Sequence, residues 1–262
     1  MKSKNDKRSP LKDKPLRYAG QSIDEQIEDK LLEAIYWILV SSGTIILAIA
    51  EWFRYINPRP AQPIIITIFT VIVLAMGTNK IFKGRKEADR LKMARDGEKL
   101  VAEGLQEMIK QGATVLNDIQ GDKFNIDHVV VSKNGIYLIE TKTFSKPAKK
   151  EAKISFDNEH VFADGFLIDR NPIQQAKALT KWLQELLMQS TGVKFAVRPV
   201  VLFPGWFIEP MKRGQEVWIL NPKALPTFIS NEPVALKETD VHLAAFHLSR
   251  YVRTFIPKQE KS

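Results

Sequence analysis

Asn125-Ile126-Asp127-His128-Val129-Val130-Val131 runs into Ser132-Lys133-Asn134-Gly135 and then Ile136-Tyr137-Leu138-Ile139-Glu140-Thr141-Lys142. Two β-branched runs flank an Asn-Gly pair, the strongest short-range signal for a tight hairpin. With Asn134 and Gly135 as the turn, Lys133 pairs with Ile136 and Asp127 falls opposite Lys142. Side chains alternate along a strand, so Asp127, Glu140 and Lys142 then project from one face of the sheet. A three-residue loop would throw Asp127 to the other face. A lone Glu-x-Lys is common at strand ends, where it pairs at the surface. Here the polar positions interrupt runs that are apolar on both faces, and Asp127 falls at the matching place on the partner strand. Two carboxylates and an ammonium among Val and Leu are costly to desolvate unless they bind something. A divalent metal with a phosphate beside it suits them.

Around this hairpin the chain is 262 residues long, room for one or two domains, and carries a formal charge of +9. Its isoelectric point near 9.5 suits anionic surfaces, nucleic acid or phospholipid, without choosing between them. Cysteine is absent, which excludes disulfides and thiolate metal sites, so any metal must use oxygen or imidazole ligands. None of the histidines is spaced for a zinc site. No internal repeat is visible.

The N-terminal third reads as a membrane hairpin. No charge interrupts Ala34 to Ala50 or Pro60 to Asn79, and Trp37, Trp52, Phe53 and Tyr55 gather toward the ends of the first run. Each approaches the roughly 20 residues a helix needs to cross a bilayer. A buried soluble helix would explain one such run, but not two separated only by residues 51–59. A cleavable signal peptide fits poorly, because a long polar stretch precedes the first run and a second run follows. Lys2, Lys4, Lys7, Arg8, Lys12, Lys14 and Arg17 precede the hairpin, and Lys80, Lys83, Arg85, Lys86, Arg90, Lys92 and Arg95 follow it. The connecting loop has only Arg54 and Arg59, so both termini are expected in the cytoplasm, at an inner or cytoplasmic membrane. The basic flanks suit anionic lipid. The expected organisation is a basic tail (1–30), a transmembrane hairpin (31–80, helices about 33–53 and 60–79) and a cytoplasmic head (81–262).

Glu87 to Gln111 reads as the first helix of the head, with an apolar stripe of Ala94, Val101, Leu105 and Met108. Glu98 lies on that stripe, where a carboxylate usually has a partner. Residues 153–156 and 160–162 suggest a second hairpin. Asn171-Pro172 makes a good helix start, and the helix to Gln189 turns Leu179, Trp182, Leu183 and Leu186 inward. Gln175 lies on the same face; a satisfied structural glutamine would also account for it. Strands are expected at 196–203 and 216–220, and helices from near Pro222 and near Thr239. The order implies an α/β protein, a mixed-sheet α/β sandwich behind a two-helix transmembrane hairpin. His128 should face away from Asp127 and is read as packing or support, not as a general base. Lys146, Lys149, Lys150 and Lys153 follow the Glu-x-Lys strand. Such a run is usually a solvated face, but beside a metal it suits a phosphate backbone.

With these residues in place, the head resembles the nuclease-related domain (NERD), a branch of the PD-(D/E)xK restriction-endonuclease-like superfamily. The resemblance runs from Gly97 to Phe228. It rests on Gly97-Glu98, on Ile126 to Val131, on Gly135 to Lys142, on Asn171-Pro172-Ile173-Gln174-Gln175 and on Pro199 to Phe203. It implies a restriction-endonuclease-like fold, with Asp127, Glu140 and Glu98 as ligands of Mg²⁺ or Mn²⁺. Lys142 would position or activate the attacking water, and Gln175 would support the site. No acidic or lysine position of the pattern is missing. The chemistry implied is phosphodiester hydrolysis of nucleic acid, DNA ahead of RNA, by a membrane-tethered nuclease. A scaffold that kept the fold but only binds nucleic acid or protein is the alternative.

Overall fold

The computed structural model describes residues 16–56, 63–144, 153–157, 159–210 and 214–256. It is an α/β protein in which two long N-terminal helices precede mixed sheets and further helices. The chain forms two compact units, one spanning Ser22–Arg95, the other holding the described residues before Ser22 together with those from Asp96 onward.

In the first unit α1 (Gln21–Ile56) and α2 (Pro63–Gly104) run antiparallel. Arg95 meets Asp24 at 3.2 Å, Lys30 meets Glu87 at 3.1 Å, Lys80 meets Glu33 at 3.4 Å, and Trp52 donates to Thr67 at 2.9 Å. As one number rises the other falls, which is the signature of a helical hairpin. Leu39, Ile46, Ile49, Ile64, Phe69 and Val71 remain exposed on this pair. Apolar windows of 18 residues reach mean hydropathies of 1.8 and 2.0, so length and composition suit membrane crossing. The helix expected to begin at Glu87 is instead continuous with the second apolar run. No proline interrupts α2 after Pro63, and glycine alone weakens a helix without ending it. The last turns of α2, from Asp96, belong to the second unit.

The second unit continues with α3 (Gln106–Lys110) and three antiparallel strands, β1 (Thr114–Gln120), β2 (Asn125–Ser132) and β3 (Gly135–Thr141). A small sheet follows from β4 (Lys153–Phe156), β5 (Val161–Ala163) and β6 (Phe166–Leu167), then α4 (Pro172–Thr191). Next come β7 (Val197–Leu202), β8 (Phe207–Ile208), β9 (Trp218–Leu220), α5 (Leu225–Asn231) and α6 (Glu238–Thr254). The main sheet has the order β1-β2-β3-β7-β9, with β7 and β9 parallel to β3; the second is β6-β5-β4-β8.

Both faces of the main sheet are covered, which is why β2 and β3 read as near-continuous apolar runs. Val129, Val131, Ile136 and Leu138 pack with Leu179, Leu183 and Leu187 of α4 and with Ala244 and Leu248 of α6. Val130, Tyr137 and Ile139 pack on the other side with Val101, Leu105 and Met108. Asn171 caps α4 by accepting from the Ile173 and Gln174 N–H groups, as its sequence position implies, and Gly192 ends the helix at φ +72°.

Two further expectations are corrected. The turn of the central hairpin takes Lys133 and Asn134, and Ser132 pairs with Gly135, which itself takes the positive φ of +142°. Tertiary contacts accompany this register: the Lys133 carbonyl accepts from the Ala235 and Leu236 N–H groups, and Asn134 Nδ2 donates to the Glu232 carbonyl. Continuing the count brings Asp127 level with Glu140, not Lys142. Each strand has shifted by one residue, so the face is preserved. The other is β1, a strand additional to those expected from the sequence. Asp118 sits in it at φ +51°, and the ladder skips from Asn117 with His128 to Ile119 with Ile126. That break spoils the alternation by which a strand is recognised.

Candidate active site

The strand alternation of β3 turns Glu140 and Lys142 toward the first turn of α4, where Gln175 waits. Gln175 Nε2 donates to Glu140 Oε2 at 2.8 Å, and Lys142 Nζ donates to Gln175 Oε1 at 2.8 Å. Lys142 also reaches Glu140 Oε2 at 3.3 Å, closing a three-membered ring of contacts. The glutamine thus reads both groups at once, donor toward the carboxylate and acceptor toward the ammonium. Lys142 is held in line because its N–H donates to the Leu202 carbonyl of β7, one step past the end of β3.

Asp127, on β2, accepts from the Thr141 N–H through Oδ2 at 2.6 Å. Burial raises its pKa, a rise opposed by that N–H and by the charge of Lys142. Burial and the charge of Asp127 likewise push the Glu140 carboxyl up. Glu98 is raised strongly, by burial first and then by Asp127 and Asp118, against a hydrogen bond from the Gly20 N–H. The three expected carboxylates therefore stand within reach of one another's fields, each made less acidic by a dry environment shared with like charge.

Two oxygens in this group, Glu98 Oε2 and Glu140 Oε1, are buried without a hydrogen-bond partner among the described residues. Orphaned carboxylate oxygens in a dry site are a costly arrangement that a hard cation would relieve. Among the described residues no group of three or more His, Asp or Glu side chains is disposed to hold a metal ion as it stands. The donor set, all carboxylate oxygen, fits Mg²⁺ or Mn²⁺.

His128 is fully buried, with Nδ1 2.9 Å from Asn117 Oδ1, and burial lowers its pKa to about 3. It is neutral at physiological pH and packs within the sheet. Of the basic run, Lys153 starts β4 and is ion-paired to Glu209. Lys146, Lys149 and Lys150 lie outside the described residues. One acidic residue was missed by sequence reasoning: Asp118 is wholly buried, accepts from Asn125 Nδ2 at 3.1 Å, and bears on Glu98, Asp127 and His128. The Asn117-Asp118 pair in an otherwise β-forming run was the available signal.

Residues 94–204 match the family model of the nuclease-related domain, NERD. Glu98, Asp127, Glu140, Lys142 and Gln175 all fall inside the matched segment. No curated protein and no solved structure matches the chain.

Gly97, which precedes Glu98 in the NERD segment, lets α2 approach the end of β3. A Cβ there would clash with Thr143 Cγ2. Gly97→Ala is expected to cost about 1–2 kcal/mol of stability by overpacking. It should also lower any nuclease rate severalfold by moving Glu98. Adding Thr143→Ala should restore both, as read by thermal unfolding and cleavage assays; no recovery would show that the contact is not what matters.

Proposed function

We propose that this chain is a membrane-tethered, divalent-metal-dependent nuclease that hydrolyses phosphodiester bonds of DNA or RNA at the cytoplasmic face, on a restriction-endonuclease-like head. The observation that carries the reading is the Glu140–Lys142–Gln175 ring beside Asp127, with orphaned oxygens on Glu98 and Glu140. Asp127, Glu140 and Glu98 would hold Mg²⁺ or Mn²⁺. When bound, the cation supplies the charge that polarises a phosphoryl oxygen and lowers the pKa of a water. Lys142 places a positive charge where negative charge builds on the phosphorus oxygens, in a site dry enough for it to count. Gln175 fixes the ammonium and the carboxylate against each other, so neither must reorganise as the reaction proceeds. The charge of +9 draws the polyanion in, and the basic run after β3 is suited to its backbone. We read α1 and α2 as crossing the membrane, with lysine and arginine flanks keeping both termini and the head in the cytoplasm.

A binding scaffold is the second reading, favoured by Lys142, whose ammonium already occupies Glu140 Oε2. Whole protein in detergent, incubated with labelled single- and double-stranded DNA and RNA plus Mg²⁺, Mn²⁺ or EDTA, separates the two. Metal-dependent cleavage lost in Asp127→Ala supports the nuclease. Binding that weakens steeply with salt, without turnover under any metal, supports the scaffold.

The cation should also act on stability. At a concentration near 100 times its Kd, Mg²⁺ is expected to add about 2.7 kcal/mol and raise Tm by about 5–10 °C. EDTA should reverse the shift, and Asp127→Ala should abolish it. An unshifted wild type would refute metal binding at this site.

A further inference from the structure

Arg17 belongs, by sequence, to the basic tail that suits lipid headgroups. In the structure its side chain is only 16% exposed, and its Nε donates to Oδ2 of the wholly buried Asp118 at 2.6 Å. The residues after it stay with the head. Ala19 is buried, and Lys99 places its ammonium 5.9 Å from the centre of the Tyr18 ring. The chain turns through Gly20, at φ +75°, where the Gln21 N–H donates to the Tyr18 carbonyl. The Gly20 N–H donates to the Glu98 carboxylate, whose other oxygen, Oε2, is the orphan.

This strap therefore touches the acidic group twice, through a side chain at Asp118 and through a backbone N–H at Glu98. A buried ion pair is weak support for stability as such, and its attested use is to fix one arrangement among several. We propose that residues 16–20 complete the candidate active site: Arg17 is a positioning residue whose pairing with Asp118 docks the strap, and the docked strap holds Glu98 through the Gly20 N–H. The proposal rests on the metal-dependent reading of the site and adds to it a segment far outside the NERD match. With one Glu98 oxygen held by the strap, the other is left buried and without a partner among the described residues. Undocking would free the carboxylate to swing.

The test uses the full chain in detergent and two readouts besides activity: chymotryptic cleavage after Tyr18, followed by the mass of the fragment that begins at Ala19, and Mn²⁺ affinity by electron paramagnetic resonance. Arg17→Gln leaves Asp118 buried without its cation and risks the fold. The double variant Arg17→Gln with Asp118→Asn removes one charge of each sign, so the local field on Mn²⁺ is nearly unchanged and only docking is lost. In the double variant, cleavage after Tyr18 is expected to quicken at least about tenfold, as local opening becomes easier. Mn²⁺ affinity should fall about tenfold, in the range found when groups that orient metal ligands are removed. Arg17→Lys alone keeps a cation facing Asp118 without the guanidinium Nε that makes the contact, and should place both readouts between the double variant and wild type.

Unchanged protection of Tyr18 in the double variant would overturn the proposal. So would an opened strap with unaltered Mn²⁺ affinity. If the variants shift as expected but the wild type cuts no nucleic acid, the strap stands and the nuclease reading falls. If the wild type cuts while neither readout moves, the reverse holds. A wild type that takes up no Mn²⁺ overturns both.

Discussion

Glu140→Gln is expected to lower metal-dependent cleavage by about 10²–10³-fold, the scale of losing a group that acts on the transition state, while the head stays folded. Glu140 is 2% exposed and accepts from both Lys142 and Gln175 on one oxygen while its other oxygen is orphaned. The glutamine keeps the shape but discards the charge a cation needs. Burial and the charge of Asp127 already disfavour the ionised form of Glu140. Removing that charge should therefore leave metal-free Tm unchanged or higher, so activity and stability part company. Cleavage assays beside thermal unfolding without metal read the two effects. Activity close to wild type in a folded variant would remove Glu140 from the chemistry.

Lys142→Met should separate binding from turnover in a different way. The ammonium shares Glu140 Oε2 with Gln175 and competes there with any cation. Its removal is expected to tighten Mn²⁺ binding by about tenfold or less, the scale of one partly screened charge contact. On the proposed nuclease reading the same change should cut turnover by about 10²–10³-fold, because nothing would replace the positive charge offered to a phosphate. Titration with Mn²⁺ and single-turnover cleavage measure the pair. Tighter binding with undiminished turnover would make Lys142 a structural ion-pair partner and no more.

Much of this site was legible because each part obeyed a local rule. Glu140 and Lys142 are two apart on a strand, so pleat geometry alone puts them together. Gln175 is four before Leu179 on a helix whose Asn-Pro start fixes its frame. The hairpin survived an error of one residue on each strand because an even total shift preserves the face. The observed register is accompanied by bonds from Lys133 and Asn134 to Glu232, Ala235 and Leu236, some 100 residues away, which no local pattern announces. Asp118 escaped notice because a positive φ breaks β1 where alternation would have revealed it. Arg17 escaped because a basic residue in a basic tail carries no mark of a specific partner. Local periodicity reports which face a side chain takes, and it is silent on pairs made across long stretches of chain.

Arg17 and Asp118 are 101 residues apart, and the stretch between them includes both apolar runs. A ribosome adding 5–20 residues per second needs about 5–20 s to cover that distance. For that interval the arginine has emerged and its aspartate has not. Both apolar helices are therefore synthesised before the contact can close. A nascent chain completes its helical hairpin while its acidic centre is still unfinished. Assembly order is thus written into the spacing of one ion pair, with the helical hairpin first and a finished head last.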